Sequence, residues 1–307
     1  MSLLGLDEDL KVSSRDDIYP TIDPKAHYDA QTFSGKVVLI AGASRGIGAE
    51  IAMQYARAGA KLSLVGRTQA ALDASRDAIL RERPTAKILT FPADVRDVTK
   101  AAEIVASTVA RFGRLDILVS NAAILRRMDL RMFIPRIVSP ADFIPLLAFA
   151  SKDPKGWWDV LEVNIRGTYN FIHFAVPELL KTKGQLVILT SGAAQVRIPT
   201  ASEYCVSKFA INRLAEFVTV EYPDIKVFAV HPGVVKTDMF VESGIDFEVN
   251  ATVGLPAATI LYLTSGNADY LNGRYVSSTW DLGEVERDWK EKILAQNGLV
   301  SKLSIPV

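Results

Sequence analysis

Hydrophobic and polar positions alternate in blocks along this chain from residue 36 onward. Short apolar runs, each about the length of one strand, are separated by longer segments in which apolar residues recur at helical spacing. The predicted strands are 36–42, 61–66, 87–93, 115–120, 185–191, 226–233 and 274–278. The predicted helices are 46–59, 69–82, 97–111, 156–180, 202–221 and 251–265. This regular alternation predicts a mixed α/β protein.

Strands as apolar as these are typical of a parallel sheet that helices cover on both faces. Repeated strand–helix units joined by right-handed crossovers favour an α/β fold with a doubly wound parallel sheet. No linker-like break interrupts the pattern, so we predict one domain over 33–280. Such sheets bind their ligands at the carboxyl ends of the strands, where the candidate chemistry is therefore expected.

Two terminal segments flank this domain. Residues 1–32 are polar and contain two prolines, which is typical of an arm over a neighbouring subunit or of a disordered segment. Residues 281–307 form a C-terminal extension that begins beside Trp280 and contains Trp289. Because this segment is too aromatic for a free tail, we expect the extension to pack on the body.

A glycine-rich loop follows the first predicted strand. Its sequence, GASRGIG, places Gly42, Gly46 and Gly48 where the first long helix opens. Glycines let the backbone approach a pyrophosphate closely, and the helix N-terminus offers free N–H groups and the positive end of its dipole. The strand–loop–helix context favours dinucleotide binding over the alternative, which is a plain glycine-rich turn.

The end of the second strand indicates which dinucleotide is preferred. NAD sites usually carry an acidic residue at this point, but the sequence here reads VGRT, with Gly66 and Arg67. Arg45 lies within the glycine loop, and two guanidinium groups suit a 2′-phosphate, which accepts bidentate charge-assisted hydrogen bonds. We therefore predict NADP(H) as the cofactor; two solvated surface arginines are the alternative.

Polar residues also follow the third and fourth strands. Asp94 and Val95 come after the third strand, where the carboxylate either accepts from an adenine amine or lies in an exposed loop. Asn121 opens an Asn-Ala-Ala segment after the fourth strand, and its small neighbours would let a dinucleotide lie close. The amide of Asn121 has a structural alternative, which is to tie the end of the strand.

The composition excludes several other classes of protein. The 307 residues are 49% hydrophobic and 23% charged, which suffices for a buried core. Lys plus Arg and Asp plus Glu both number 35, so no net charge attracts nucleic acid or an anionic membrane. The single Cys205 excludes an intrachain disulfide, and three scattered histidines form no metal-ligand pattern. Without a signal peptide or a membrane span in the sequence, we predict a cytoplasmic protein.

Two Tyr-x-x-x-Lys patterns occur, and their surroundings separate them. Tyr222 is followed at once by a proline, and the segment to Lys226 runs into a strand, so the two side chains need not share a face. Tyr204 and Lys208 lie within a predicted helix, where a spacing of four puts both side chains on one side. We therefore predict that only the pair of Tyr204 and Lys208 acts together.

Ser191 ends the fifth strand and Asn164 lies in the long helix before it, so four polar groups are expected at one sheet edge. A free tyrosine has a pKa of about 10, and we expect the ammonium of Lys208 to lower the pKa of Tyr204. Tyr204 could then exchange protons with a substrate at neutral pH. Lys208 can also reach a nicotinamide ribose, Ser191 can hold a substrate oxygen, and Asn164 can anchor a relay water. The structural alternatives are a core aromatic for Tyr204 and a solvated Lys208.

Together these motifs resemble those of the short-chain dehydrogenases/reductases over about residues 33–280. The catalytic Asn, Ser, Tyr and Lys of that family fall on the four residues just described, and HPGVVKTDM resembles its Pro-Gly motif. In that motif, Thr237 stands where a residue usually holds the nicotinamide carboxamide. The resemblance implies cofactor contacts from Gly42, Ser44, Arg45, Gly46, Ile47, Gly48, Arg67, Asp94, Val95, Asn121, Tyr204, Lys208, Pro232, Gly233, Val235 and Thr237.

The resemblance also implies a Rossmann-like sheet of about seven strands, and homodimers or homotetramers built on two long helices. One departure is an insert, 124–155, whose apolar run 143–150 could line the pocket, pack on a partner subunit or cover the core. After the Pro-Gly motif, 239–250 is the expected mobile substrate loop. Both segments are largely apolar, which favours a bulky hydrophobic substrate.

The predicted function is NADPH-dependent reduction of a ketone or aldehyde, with Tyr204 as the proton donor. Oxidation of a secondary alcohol is the same reaction in reverse. Two alternatives stay open at this point: epimerisation or cyclisation on the same fold, and NADP(H) binding without catalysis.

Overall fold

Seven parallel strands form the centre of the protein. The computed structural model describes residues 5, 8–125, 149–243, 249–303 and 305. The strands are β1 (Val37–Ala41), β2 (Lys61–Gly66), β3 (Ile88–Pro92), β4 (Ile117–Ser120), β5 (Gln185–Leu189), β6 (Lys226–His231) and β7 (Arg274–Ser277). They pair in the order β3-β2-β1-β4-β5-β6-β7, and every pairing is parallel. The predicted doubly wound sheet of about seven strands is confirmed.

The direction of winding reverses between β1 and β4. From β1 the chain adds β2 and then β3 on one side, and from β4 it adds β5, β6 and β7 on the other. A crevice opens at such a reversal because the loops after the two central strands diverge. The predicted site residues follow strand ends, so they come to the edge where this crevice opens.

Eleven α-helices occur in the described part of the chain. They are α1 (Lys25–Ala30), α2 (Gly46–Arg57), α3 (Gln69–Glu82), α4 (Val98–Phe112), α5 (Pro154–Leu161), α6 (Gly167–Thr182), α7 (Ser202–Glu221), α8 (Asp238–Glu242), α9 (Gly254–Tyr262), α10 (Leu282–Glu284) and α11 (Lys290–Ala295). The predicted long helix 156–180 consists of α5 and α6, which are joined by a wider π-helical turn, Glu162–Arg166. This turn carries Asn164, so the irregularity falls at a predicted site residue.

The continuous apolar runs are explained by two cores, one on each face of the sheet. Val38 and Ile40 of β1 belong to the core that packs under α2 and α9. Val37 and Leu39 belong to the core on the opposite face, under α4, α6 and α7. Because alternate residues of one strand are buried on opposite faces, no polar position interrupts the run.

The two terminal segments pack against each other on the body of the domain. Tyr19 is buried, and its hydroxyl donates to the carbonyl of Trp280 at 2.9 Å and accepts from the amide of Leu282 at 2.8 Å. The Arg15 guanidinium pairs with Asp281 at 2.5 Å. Arg15 and Tyr19 of the first segment thus contact the C-terminal segment of their own chain. An arm over a neighbouring subunit stays a prediction.

Candidate functional site

A cleft of about 450 Å³ opens at the carboxyl edge of the sheet, over the reversal between β1 and β4. Among the predicted cofactor residues, those that line it are Gly42, Ser44, Arg45, Gly46, Ile47, Arg67, Asp94, Val95, Asn121 and Thr237. Those that do not line it are Gly48, Tyr204, Lys208, Pro232, Gly233 and Val235. The cleft thus collects the loops after the first four strands and the start of α8.

Two glycines of the loop after β1 lie where a side chain has no room. Gly42 has a φ of 92°, and a Cβ on it would lie 2.7 Å from the backbone nitrogen of Ala122. A Cβ on Gly48 would lie 2.0 Å from the carbonyl oxygen of Gly42. The loop is therefore folded tightly beneath the cleft and presents backbone at the N-terminus of α2. This arrangement fits the pyrophosphate of a dinucleotide.

Asn121 has the structural role that the sequence offered as an alternative. Its amide donates to the carbonyl of Gly42 at 2.7 Å, and so ties the end of β4 to the glycine loop. The same residue also lines the cleft. A direct contact between Asn121 and a cofactor stays a prediction.

The two arginines that were predicted to hold a 2′-phosphate lie in different surroundings. Arg45 reaches to α8, where its guanidinium pairs with Asp238 at 2.6 Å and approaches Glu242 at 3.9 Å. Arg67 is exposed on the rim of the cleft. An anion bound at this rim would therefore compete with Asp238 for the Arg45 guanidinium.

The carboxylate of Asp94 forms an ion pair that the sequence analysis missed. Arg96 contacts both oxygens of this carboxylate. Its Nη2 donates to Oδ2 of Asp94 at 2.6 Å, and its Nε donates to Oδ1 at 3.0 Å. Hydrogen bonding from Arg96 holds the pKa of Asp94 below its ordinary value. Arg96 lies on the cleft wall, so this edge carries one more cation than predicted. The sequence does indicate this ion pair, because a basic residue stands two positions after Asp94.

Val95 and the Pro-Gly segment frame the cleft. Val95 is buried, and a Cβ on Gly167 would lie 2.4 Å from it, so the loop after β3 is packed closely on the start of α6. Thr237 caps α8 by accepting from the amide of Phe240 at 3.3 Å. Val235 is buried and forms a bridge with Ala251. The substrate loop expected over 239–250 begins in α8, and its residues 244–248 lie outside the described part, as do residues 126–148 of the insert.

Ser191, Tyr204 and Lys208 meet just beyond the end of β5. The hydroxyl of Tyr204 lies beside the side chain of Ser191 and interacts with it. The ammonium nitrogen of Lys208 lies 5.7 Å from the centre of the Tyr204 ring and donates to the carbonyl of Leu189 at 2.7 Å. Ser191 also accepts from the amide of Ala193 at 3.1 Å, which fixes its orientation. The side chains of Ser191, from just after β5, and of Tyr204 and Lys208, from α7, thus share one small volume.

Burial, rather than charge, controls the pKa values of this group. Burial raises the pKa of Tyr204 to about 12, and the hydrogen bond from Ser191 only partly offsets the rise. Burial also lowers the pKa of Lys208 to about 7. The prediction that Lys208 lowers the pKa of Tyr204 is therefore wrong for this structure. The reason is that the buried amine is itself driven towards its neutral form, and so provides little positive charge.

Asn164 links this group to the cleft. Its amide oxygen accepts from the backbone nitrogen of Ile124 at 2.8 Å, and its amide nitrogen donates to the carbonyl of Ile124 and to Ser207, each at 3.0 Å. Ile124 lines the cleft, and Ser207 belongs to α7. The π-helical turn thus directs Asn164 to join β4 to the helix of Tyr204. Its role as an anchor for a relay water stays a prediction.

His231 is a neighbour of this group that sequence reasoning considered only as a metal ligand. It is half-buried at the end of β6, its ring stacks on Tyr275, and a Cβ on Gly192 would lie 3.3 Å from it. Burial, and to a lesser extent Lys208, lower its pKa to about 4, so the ring is neutral at neutral pH. His231 therefore forms an uncharged wall behind Ser191.

The second Tyr-x-x-x-Lys pattern is not a pair in space. Tyr222 follows the end of α7, whereas Lys226 begins β6 and pairs with Asp269.

Across the part of the chain described, no group of three or more histidine, cysteine or acidic side chains could hold a metal ion. Within the same part, no helix is both long and apolar enough to cross a membrane. The cytoplasmic location stays a prediction.

A parallel sheet with a tight glycine loop at its reversal, and a buried Tyr–Lys–Ser group beside it, defines an oxidoreductase that binds a nicotinamide cofactor. The chain belongs to the short chain dehydrogenase family, whose model matches residues 36–246. Like other members, it acts on small-molecule substrates.

Several known proteins resemble the chain. It is 34% identical to Short chain dehydrogenase mpl6 of Monascus purpureus over 305 residues, which covers 94% of both chains. It is 36% identical to 11-beta-hydroxysteroid dehydrogenase-like 3 of Arabidopsis thaliana over 205 residues, 66% of this chain and 60% of that protein. The crystal structure of levodione reductase superposes with a TM-score of 0.71 at 27% identity, covering 84% of this chain and all of that one.

Proposed function

We propose that this protein reduces a ketone or aldehyde with NADPH and, in reverse, oxidises the corresponding secondary alcohol. One observation carries the proposal: the Tyr204 hydroxyl, beside Ser191 and Lys208, lies on the helix that Asn164 joins to the lining of a cleft that fits a dinucleotide. A phenol with a pKa of about 12 is protonated at neutral pH. Tyr204 is thus ready to give a proton, as reduction requires.

The chain's own residues would divide the work as follows. A bound NADPH supplies hydride to the carbonyl carbon. The hydroxyls of Tyr204 and Ser191 donate hydrogen bonds to the carbonyl oxygen and stabilise the negative charge that develops on it. The proton of Tyr204 then passes to this oxygen and leaves a phenolate. Lys208, when protonated, stabilises that phenolate from its place beside the ring.

The preference for NADPH over NADH is supported by charge at the cleft rim. Arg45 and Arg67 line the cleft, and the end of β2 offers no carboxylate to a ribose 2′-hydroxyl. Each hydrogen bond from a guanidinium to a phosphate contributes about 1.5–3 kcal/mol. We expect the double variant R45A/R67A to bind NADPH about 100-fold more weakly, while its affinity for NADH changes less than about threefold.

Fluorescence titration with both cofactors measures this change in preference. Arg81→Ala is the matched control, since this exposed arginine of α3 lies outside the cleft lining. An equal loss of affinity for NADPH and NADH in R45A/R67A would contradict NADP preference and would indicate a general effect of charge.

The substrate is proposed to be a bulky hydrophobic carbonyl compound. The substrate loop and the insert are largely apolar in sequence. Two similar proteins, named 11-beta-hydroxysteroid dehydrogenase-like 3 and levodione reductase, also support a hydroxyl or carbonyl compound as the substrate. Facile reduction of small charged carbonyl compounds, without activity on hydrophobic ketones, would contradict this substrate class.

A homodimer or homotetramer is proposed on α6 and α7. Along α7, a stripe of exposed apolar side chains recurs at helical spacing, and its members are Val206, Phe209, Phe217 and Val220. Such a stripe on a surface helix is typical of a subunit interface.

We expect Phe217→Asp to convert the oligomer to monomers in size-exclusion chromatography with light scattering. Val98→Asp is the control, because Val98 is similarly exposed on α4; an oligomer unchanged in F217D would contradict this interface.

A screen of NADPH consumption over aliphatic, aromatic and steroid-like carbonyl compounds, repeated with NADH, tests the proposed function. The expected result is faster consumption of NADPH, with the alcohol as product. A product isomeric with the substrate, without net cofactor consumption, would indicate epimerisation or cyclisation instead. Tight cofactor binding without turnover across the panel would indicate a binding protein.

A further inference from the structure

A buried ion pair lies next to the catalytic helix and has no part in the reaction just described. Lys152 precedes α5, and Glu203 lies in the first turn of α7, directly before Tyr204. Their side chains are only 12% and 8% exposed, and they form a direct salt bridge. Removing two charges from water is costly, so a buried pair needs further hydrogen bonds to be stable.

Lys152 makes such a hydrogen bond to the backbone just before α7. Its ammonium donates to the carbonyl of Thr200 at 2.6 Å. Thr200 has a φ of 69°, in the left-handed region that β-branched residues rarely adopt. The surrounding structure must hold this conformation, and Lys152 contacts it directly while it also holds Glu203 on the other side of the turn.

The start of α7 lacks an ordinary cap and is held from the side instead. The residue at the N-cap position, Ala201, offers no side-chain acceptor to the first turn. Contacts from the α5 region replace it, because the indole nitrogen of Trp157 donates to Ser202 at 3.1 Å while Lys152 binds Glu203. Three of the four residues 200–203 are therefore held by the end of the insert and by α5. Tyr204 is the next residue along the chain.

We propose that Lys152 is a positioning residue for Tyr204. By holding the Thr200 carbonyl and the Glu203 carboxylate together, it fixes the first turn of α7 so that the Tyr204 hydroxyl stays beside Ser191. The inference rests on the proposed function, in which that hydroxyl protonates the substrate. It also gives the end of the insert 124–155 a definite role at the site, which the sequence left undecided.

The test compares Lys152→Met with Lys155→Met. Lys155 lies three residues after Lys152, and its side chain is 82% exposed. It therefore matches Lys152 in residue type and in region of the chain, but not in burial. In K152M, we expect kcat to fall about 10- to 100-fold because a displacement of Tyr204 by a fraction of an ångström slows the chemical step. The Kd for NADPH is expected to stay within twofold, and K155M to keep the wild-type kcat. K152R, which can retain the ion pair, is expected to recover at least a third of kcat.

A kinetic isotope effect separates positioning from a loss of folded enzyme. With NADPH deuterated at the transferred hydride, K152M should show a larger isotope effect on kcat than the wild type, because chemistry becomes more rate-limiting. Fewer folded molecules would lower the rate without changing the isotope effect. A kcat and an isotope effect within twofold of wild type in folded K152M would overturn the inference. If K152M does not fold, Glu203→Gln is measured in the same way and by the same criteria.

Hydrogen exchange keeps the inference separate from the proposed function. If the wild type turns over no carbonyl compound, the proposed function fails on its own, and exchange of the amides in 200–208 then decides the inference. Faster exchange there in K152M than in K155M, with exchange elsewhere unchanged, supports positioning by Lys152. Equal exchange in the two variants overturns it.

Discussion

Tyr204→Phe is expected to lower kcat for carbonyl reduction by about 10²- to 10⁴-fold, the usual contribution of a general acid. The variant loses only the hydroxyl, so the ring that fills the space beside Lys208 remains. The affinity for NADPH should stay within about twofold because Tyr204 does not line the cleft. Single-turnover NADPH oxidation measures the first effect, and cofactor fluorescence measures the second.

Tyr222→Phe is the matched control for this substitution. It alters the tyrosine of the second Tyr-x-x-x-Lys pattern, which lies beyond the end of α7 and away from Ser191. Its turnover should equal that of the wild type. Substantial activity in Y204F, under conditions where the wild type is active, would rule out Tyr204 as the proton donor.

Lys208→Met should have two effects that differ in their dependence on pH. Turnover is expected to fall about 100-fold or more, because the variant loses the amine that stabilises the Tyr204 phenolate when it is protonated. The free energy of unfolding should also lose part of its dependence on pH. Burial lowers the pKa of Lys208 from 10.5 to about 7 in the folded protein. Between these values the unfolded chain binds the proton more tightly than the folded chain does.

The sign of the stability effect follows from this difference in proton binding. Below pH 7 the amine is protonated in both states, and the folded wild type bears the full cost of a buried ammonium. From about pH 7 to 10.5 the folded amine is neutral, and wild-type stability rises with pH by up to about 1.4 kcal/mol for each unit, the limit for one proton. K208M should lack this rise, so its stability relative to the wild type is greatest below pH 7.

Urea denaturation at pH values from 6 to 10 measures these slopes. Lys226→Met serves as the control, because Lys226 is 39% exposed and paired with Asp269, and should show the wild-type slope. If the free energies of unfolding of K208M and the wild type ran parallel from pH 6 to 10, burial would not lower the pKa of Lys208 into this range.

The sheet and the location of the site could be predicted from sequence because both depend on local patterns. Strands buried on both faces read as unbroken apolar runs, and groups that act together follow strand ends. Gly42 and Gly48 were recognisable for the same reason, since a tight loop leaves room only for glycine. These features need no knowledge of which distant segments meet.

The features that could not be predicted all depend on such distant contacts or on burial. Arg45 and Asp238 are 193 positions apart, and nothing in either segment indicates the other. The pKa values of Tyr204 and Lys208 were misjudged because a spacing of four reveals proximity but not how completely water is excluded. The ion pair of Lys152 could not be predicted either, since a lysine within an insert is usually a solvated charge.

The contact between Arg15 and Asp281 has a consequence for biosynthesis. The two residues are 266 positions apart, so the first leaves the ribosome long before the second is made. Until then, the apolar side chains of Tyr19 and Ile22 have no Trp280 or Leu282 to complete the core in which they are buried. Completion of this part of the core must therefore wait until residues 280–282 have been made, and until then the nascent chain carries an unfinished hydrophobic surface.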